Sequence, residues 1–265
     1  MTEERHELVS SGGVRVAAWS AVPECDAIGT VVLCHGLATG ADDDGTFLPL
    51  RDRLLRRGLG VIRFDARCHG ETGGDWNRLS LGGWRDDVCA AIGLARRLPG
   101  ERLSLLATSF AGGPAIAAVL DHARDCAGIV FWNPVLDYSR IYLSDEFRYG
   151  AEILSSQCQR GLPDWASYEL PWVPVPLSRK LVAEMRTDET PRRAARLPCP
   201  GVVIHGTADP FVNVAASRDV VAGAPRLKLR TIPLARHGFR GLRPAVRAYS
   251  ARWLARTGSR ERAAE

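Results

Sequence analysis

The run Leu103-Ser104-Leu105-Leu106-Ala107-Thr108-Ser109-Phe110-Ala111-Gly112 decides the fold. It is an apolar strand that stops at a serine, with small residues two places before it (Ala107) and two places after it (Ala111). A serine on a sharp strand-to-helix turn has strained dihedrals, and both flanking positions must be small for strand and helix to pass close together. The pattern is that of a nucleophile elbow with both usual glycines replaced by alanine. Such a turn lifts the hydroxyl clear of the sheet and aims the next amide, Phe110 N–H, at an oxyanion. An ordinary helix-capping serine is the plain alternative, but capping alone does not call for small residues on both sides.

Outward from the elbow, buried strands and amphipathic helices alternate. Strands are predicted at Thr30–Cys34, Gly60–Asp65, Leu103–Thr108, Gly128–Trp132, Gly201–His205 and Leu227–Ile232. They read as continuous apolar runs, as strands covered on both faces do. Helices are predicted at Phe47–Arg57, Trp84–Leu98, Ala111–Ala123, Val214–Ala222 and Pro244–Ala255. A β-hairpin turning at Ser11-Gly12-Gly13 precedes them. The alternation implies an α/β fold, a mostly parallel sheet with helices on both faces, whose ligands bind at the carboxyl ends of the strands.

One interval breaks the rhythm. About 65 residues separate Asn133-Pro134 from the strand at Gly201, far more than a crossover needs. It holds Tyr138, Tyr142, Phe147, Tyr149, Trp165, Tyr168 and Trp172 and the run Pro171-Trp172-Val173-Pro174-Val175-Pro176. Residues 136–186 are read as a cap or lid inserted into a core formed by residues 1–135 and 187–256, with 257–265 a charged tail. A loosely ordered insertion that only pads the core is the alternative. Trp132, Tyr138, Tyr142, Trp165 and Trp172 are the candidate substrate contacts.

Composition excludes several classes. With 46% apolar and 25% charged residues the chain is globular. Of its basic residues only Lys180 and Lys228 are lysines, and the arginines are scattered rather than run together, so no nucleic-acid face is expected. Seven irregularly spaced cysteines without a Cys-x-x-Cys motif argue against a disulfide framework and a zinc site, and for a reducing compartment. No apolar N-terminal segment or membrane-length stretch occurs, so a cytoplasmic protein without a membrane partner is expected.

Acyl transfer by serine needs a base held in one tautomer and preorganised donors for the oxyanion. Asp209, in Val202-Val203-Ile204-His205-Gly206-Thr207-Ala208-Asp209-Pro210, follows a buried strand and is the acid candidate; an Asp-Pro turn former is its alternative role. Asp137 is the backup, and Asp188 a weaker competitor with no strand before it. His237, in Ala235-Arg236-His237-Gly238-Phe239 after the last strand, is the base candidate. His205 reads as a core histidine, and His6 and His122 as surface ones. The oxyanion donors are the amides of Phe110 and of Leu37, the latter after Cys34-His35-Gly36, where glycine lets the backbone come close. Cys34 and Cys68 each precede a histidine, but adjacent strand residues point to opposite faces, which arranges Cys34-His35 poorly, and the polar loop that holds Cys68 reads as structural.

With these residues in place the chain resembles the α/β-hydrolases over nearly its whole length. The matching features are His35-Gly36-Leu37, Asp65-Ala66-Arg67-Cys68-His69-Gly70-Glu71-Thr72, the Ser109 elbow, His205-Gly206-Thr207-Ala208-Asp209 and His237-Gly238-Phe239. The segment Phe131 to Tyr138 and the lid are similar to those of small bacterial acyl hydrolases of the thioesterase and acyl-transferase type. The resemblance implies an eight-stranded sheet and a serine hydrolase acting on an ester or thioester of an apolar acyl group. Its partner would be a small acyl substrate, free or linked to a carrier or coenzyme A. It implies no cofactor and no metal. The same triad could serve acyl transfer, elimination or cyclisation, and a catalytically silent ligand-binding version of the fold is the third reading.

Overall fold

The computed structural model describes residues 2–146, 165–170 and 173–257, and no side chains at 165–170, 173–176 or 179. Ten strands are present among them: β1 (Glu4–Val9), β2 (Arg15–Ala21), β3 (Gly29–Cys34), β4 (Leu59–Phe64), β5 (Arg102–Thr108), β6 (Gly128–Trp132), β7 (Trp165–Leu170), β8 (Val173–Ser178), β9 (Gly201–Gly206) and β10 (Leu227–Ile232). The helices are α1 (Phe47–Leu55), α2 (Leu81–Ala95), α3 (Gly112–His122), α4 (Tyr138–Leu143), α5 (Arg179–Arg186), α6 (Thr190–Ala194), α7 (Val214–Ala222) and α8 (Arg243–Arg256). Eight strands form one sheet in the order β1-β2-β4-β3-β5-β6-β9-β10. Within this sheet only β1 with β2 and β2 with β4 pair antiparallel; its other pairings, β4-β3, β3-β5, β5-β6, β6-β9 and β9-β10, are parallel.

The period-2 alternation of side chains divides each central strand between two cores. On one face Val31 and Leu33 of β3, Leu106 of β5 and Ile204 of β9 pack with Phe47, Leu50 and Leu54 of α1 and Val246 and Leu254 of α8. On the other, Val32 and Cys34, Leu105 and Ala107, and Val203 pack with residues of α2 and α3 such as Trp84, Val88 and Ile116. The central strands are therefore buried along their length, since neither face meets water.

The registers Leu33↔Leu106 and Cys34↔Ala107 carry the ends of β3 and β5 to the same edge, and Thr108↔Trp132 and Trp132↔Ile204 add β6 and β9. All four lead into loops there, and the candidate site lies among those loops.

In the long interval between β6 and β9, α4 and α5 flank an antiparallel pair, β7 and β8, with Tyr168 opposite Val175 and Glu169 opposite Pro174. The proline-rich run thus ends in a strand. Pro174 and Pro176 share one parity, so their missing N–H groups fall on one side and the other parity stays available to the ladder. The first strand starts at Glu4 and is mostly polar, as an edge strand half open to solvent tolerates. No helix among the described residues is long and apolar enough to cross a membrane.

Candidate active site

The turn after β5 holds Ser109 at φ 47°, in the left-handed region that costs a non-glycine residue free energy. The surroundings over-determine this conformation. Ala107 and Ala111 are fully buried. A Cβ on Gly112 would sit 2.5 Å from the Val135 carbonyl oxygen, so α3 can begin only this close to the loop after β6 because that residue is glycine. The Ser109 carbonyl accepts from Val135 N–H at 2.8 Å.

Three loops meet at the serine. His237, on the loop after β10, has Nε2 3.1 Å from Ser109 Oγ, and its Nδ1 lies 2.7 Å from Asp209 Oδ2, on the loop after β9. The carboxylate can only accept, so Nδ1 carries the proton and Nε2 is left to accept from the serine hydroxyl. Asp209 Oδ1 accepts from the N–H groups of Phe211 (2.9 Å) and Val212 (3.0 Å). Burial opposes its charge, but the nearby His205, 3.5 Å away through Nε2, and the hydrogen bonds from His237 and the Val212 amide hold its carboxyl below the usual carboxylate range. The structure therefore brings Ser109, His237 and Asp209 together in one relay.

The competing residues lie elsewhere. Asp137 caps α4 by accepting from Arg140 N–H, and Asp188 accepts from Tyr138 N–H and Thr190 N–H. His205 is buried, with Nε2 on the Val212 carbonyl and Nδ1 on Ser217 Oγ, so it fixes the loop that carries Asp209. Cys34 and Cys68 are buried, and burial raises both thiols, Cys68 to about 11. They are unfit as thiolates.

The loop after β3 lies against the elbow: a Cβ on Gly36 would be 3.1 Å from Ser109 Cβ. Leu37, the next residue, lines the same cavity as Ser109. Two histidines that the sequence left without a role pin this loop. His35 Nε2 accepts from Ala66 N–H at 2.9 Å, and His69 Nε2 accepts from Ala38 N–H at 3.1 Å. Burial lowers His35 to about 4 and His69 to about 3, which keeps both neutral and able to accept. Asp43 joins them: its Oδ1 accepts from Gly36 N–H, Thr39 Oγ1 and Thr108 Oγ1 at 3.3, 3.1 and 3.3 Å. Burial raises its carboxyl against those hydrogen bonds.

A cavity of about 570 Å³ opens over Ser109 and His237. Its apolar wall includes Leu37, Trp132, Tyr142, Phe211 and Phe239. Trp132 is anchored, its Nε1 donating to Ser250 Oγ at 2.9 Å. Tyr138 does not line this cavity. It is fully buried beneath the elbow, where its hydroxyl donates to the Phe110 carbonyl and accepts from Gly113 N–H at 3.2 Å. The aromatic character that marks a contact residue in the sequence here serves packing, because α4 tucks under the turn instead of over it. Trp165 is described only as backbone in β7, and Trp172 lies outside the described residues. Tyr138→Phe is expected to keep the ring packing but free the turn after Ser109. A kcat lowered about tenfold with little change in KM, and a stability loss of about 1–2 kcal/mol, are expected from steady-state kinetics and thermal melts.

The profile described as serine aminopeptidase, S33 (Hydrolase_4) matches residues 26–170. The chain belongs to this family of α/β-hydrolases. It is 28% identical over 240 residues to a monoacylglycerol lipase of Mycolicibacterium smegmatis, covering 83% of this chain and 84% of the relative. Among solved structures it is similar to Est1E from Butyrivibrio proteoclasticus, with a TM-score of 0.77 at 18% identity over 94% of this chain and 97% of the other. The esterase domain of a Rhodothermus marinus protein gives a TM-score of 0.71 at 15% identity, over 97% and 99% of the two chains. These likenesses show the fold, an eight-stranded, mostly parallel α/β-hydrolase sheet.

Proposed function

We propose that this α/β-hydrolase cleaves carboxylic esters or thioesters of an apolar acyl group through an acyl-enzyme. The observation that carries the reading is the unbroken relay from Asp209 through His237 to a strained Ser109 at the floor of a largely apolar cavity. Ser109 Oγ attacks the acyl carbon as His237 Nε2 takes its proton. Asp209 holds the imidazole in the tautomer that can do so and supports the imidazolium. The Leu37 and Phe110 amides receive the oxyanion. Collapse breaks the bond to the alcohol or thiol, which leaves with the proton from His237. Water, deprotonated by the same histidine, then releases the acid.

The relatives support an ester substrate. The Mycolicibacterium protein is a monoacylglycerol lipase, and Est1E has been seen with ferulic acid bound. Residues 136–186 contribute Tyr142 to the cavity wall, which fits a lid that excludes water from one side of the acyl group. The site calls for no metal or organic cofactor. Incubation with a series of p-nitrophenyl acyl esters, with the acid followed by mass spectrometry, tests the reading. One free acid per nitrophenol is expected. Nitrophenol release with the acyl group recovered on an added alcohol or amine would assign the site to transfer instead, and no release at all would remove the hydrolase reading.

A further inference from the structure

The rim of the cavity carries a set of positive charges that the reaction does not use. Between Asp219 and Glu261 the sequence has ten arginines or lysines and no acid. Two of them, Arg243 and Arg247, lie on the first turns of α8 beside the cavity. Arg243 lines it, donating through Nε to the Gly238 carbonyl at 2.9 Å and through Nη1 to the Asp44 carbonyl at 3.4 Å. Arg247 Nη1 donates to the Thr46 carbonyl at 3.5 Å, and its Nε is buried without a partner. Gly238, Asp44 and Thr46 all line the same cavity, so both guanidiniums are held at its edge by backbone. Burial lowers the proton affinity of Arg247, and repulsion from Arg53 of α1 and from Arg243 adds to it.

These charges do not stabilise the fold in any ordinary way. Among the described residues none of the three has a carboxylate within 4.0 Å, whereas arginines elsewhere in the chain pair readily. Asp43 and Asp44 line the cavity too, but Asp43 Oδ1 is taken up by Gly36, Thr39 and Thr108, and Asp44 meets Arg243 through its carbonyl. Arginine at the first residue of α8 opposes the helix dipole, which favours anions at that end. A cluster of half-buried, mutually repelling guanidiniums fits an anion that arrives from outside, and the fork of donors on arginine suits phosphate best.

We propose that Arg243 and Arg247 form a subsite for a phosphate group carried by the non-reacting end of the acyl substrate. The inference rests on the reading of the cavity as the acyl-ester site. Two kinds of substrate present this chemistry: an acylglycerol phosphate and a phosphopantetheine thioester.

The test is equilibrium binding, by titration calorimetry, to Ser109→Ala protein. The ligands are decanoylglycerol, decanoylglycerol phosphate and decanoyl phosphopantetheine. At least one phosphate ligand is expected to bind about tenfold tighter than decanoylglycerol, through charge-assisted hydrogen bonds. The advantage shrinks as salt is raised. Which phosphate ligand gains it identifies the source. Arg243→Gln/Arg247→Gln removes the preference, and Arg247→Lys retains part of it. Equal affinity for all three ligands, a preference insensitive to salt, or one that survives in the folded double variant would overturn the subsite. The salt titration needs no change at the rim, so a variant that fails to fold leaves the test intact. The readout is binding, so the two failures are distinguishable: an absence of ester turnover by the unaltered enzyme removes the catalytic reading, whereas the absence of a phosphate preference overturns the subsite alone.

Discussion

Ser109→Ala is expected to lower kcat/KM for an activated acyl ester by about 10³-fold or more, leaving the residual rate that oxyanion donors and substrate binding provide without a nucleophile. The size of the loss follows from the geometry. Ser109 Oγ is the hydroxyl that His237 Nε2 faces, at 3.1 Å, and no other hydroxyl is hydrogen-bonded to that nitrogen among the described residues. The fold is expected to survive, since alanine occupies the same dihedral region at similar cost and the packing of Phe110, Ala111 and Gly112 does not depend on the hydroxyl. Steady-state kinetics and a thermal melt on the same preparation read both effects. A variant that melts like the unaltered protein and keeps more than about a tenth of its activity would move the nucleophile elsewhere.

Asp209→Asn is expected to be nearly as damaging, by about 10³–10⁴-fold in kcat, for a reason specific to this site. Oδ1 of Asp209 faces two donors, the N–H groups of Phe211 and Val212. In asparagine the carbonyl oxygen must take that place, because an NH₂ group cannot face two N–H groups. The NH₂ then points at His237 Nδ1 and forces that nitrogen to accept. The proton moves to Nε2, which can no longer take the proton of Ser109. Binding is little affected, so the loss appears in kcat rather than KM. The acid side of stability changes as well. The Asp209 carboxyl titrates below its unfolded value, so its contribution is complete above the unfolded carboxylate range, around pH 4, and is lost as pH falls through the folded value. Asn does not titrate, so the variant is expected to be less stable than the unaltered protein near neutrality, with the difference narrowing in acid. Melts across pH 3 to pH 7 measure it, and a gap that stays constant or widens in acid would contradict the assignment of that carboxylate.

Much of this site is legible in the chain because the loops after β3, β5 and β9 each follow a buried strand. β3, β5 and β9 are apolar on both faces, so their ends are sharp in the sequence, and the residues just beyond them, Gly36, Ser109 and Asp209, are fixed within a few positions. Those strands lie side by side or one apart in the sheet, so residues far apart in sequence meet at one edge. What could not be read depends on contacts that no local pattern encodes. Tyr138 looks like any lid aromatic, and only the path of α4 beneath the elbow turns its hydroxyl to the Phe110 carbonyl. His69 holds Ala38 across 31 positions, and Arg243 reaches the Asp44 carbonyl across 199. The proline run reads as irregular chain because proline opposes strands in general; only its parity against β7 permits one here.

The central claim is that Ser109 is an activated nucleophile. Labelling the folded protein with a fluorophosphonate and mapping the adduct by peptide mass spectrometry tests it most directly. A single adduct on Ser109, absent in Ser109→Ala and strongly slowed in Asp209→Asn, is the predicted result. An adduct on another residue, or an unlabelled Ser109 in protein that still turns over an acyl ester, would contradict it.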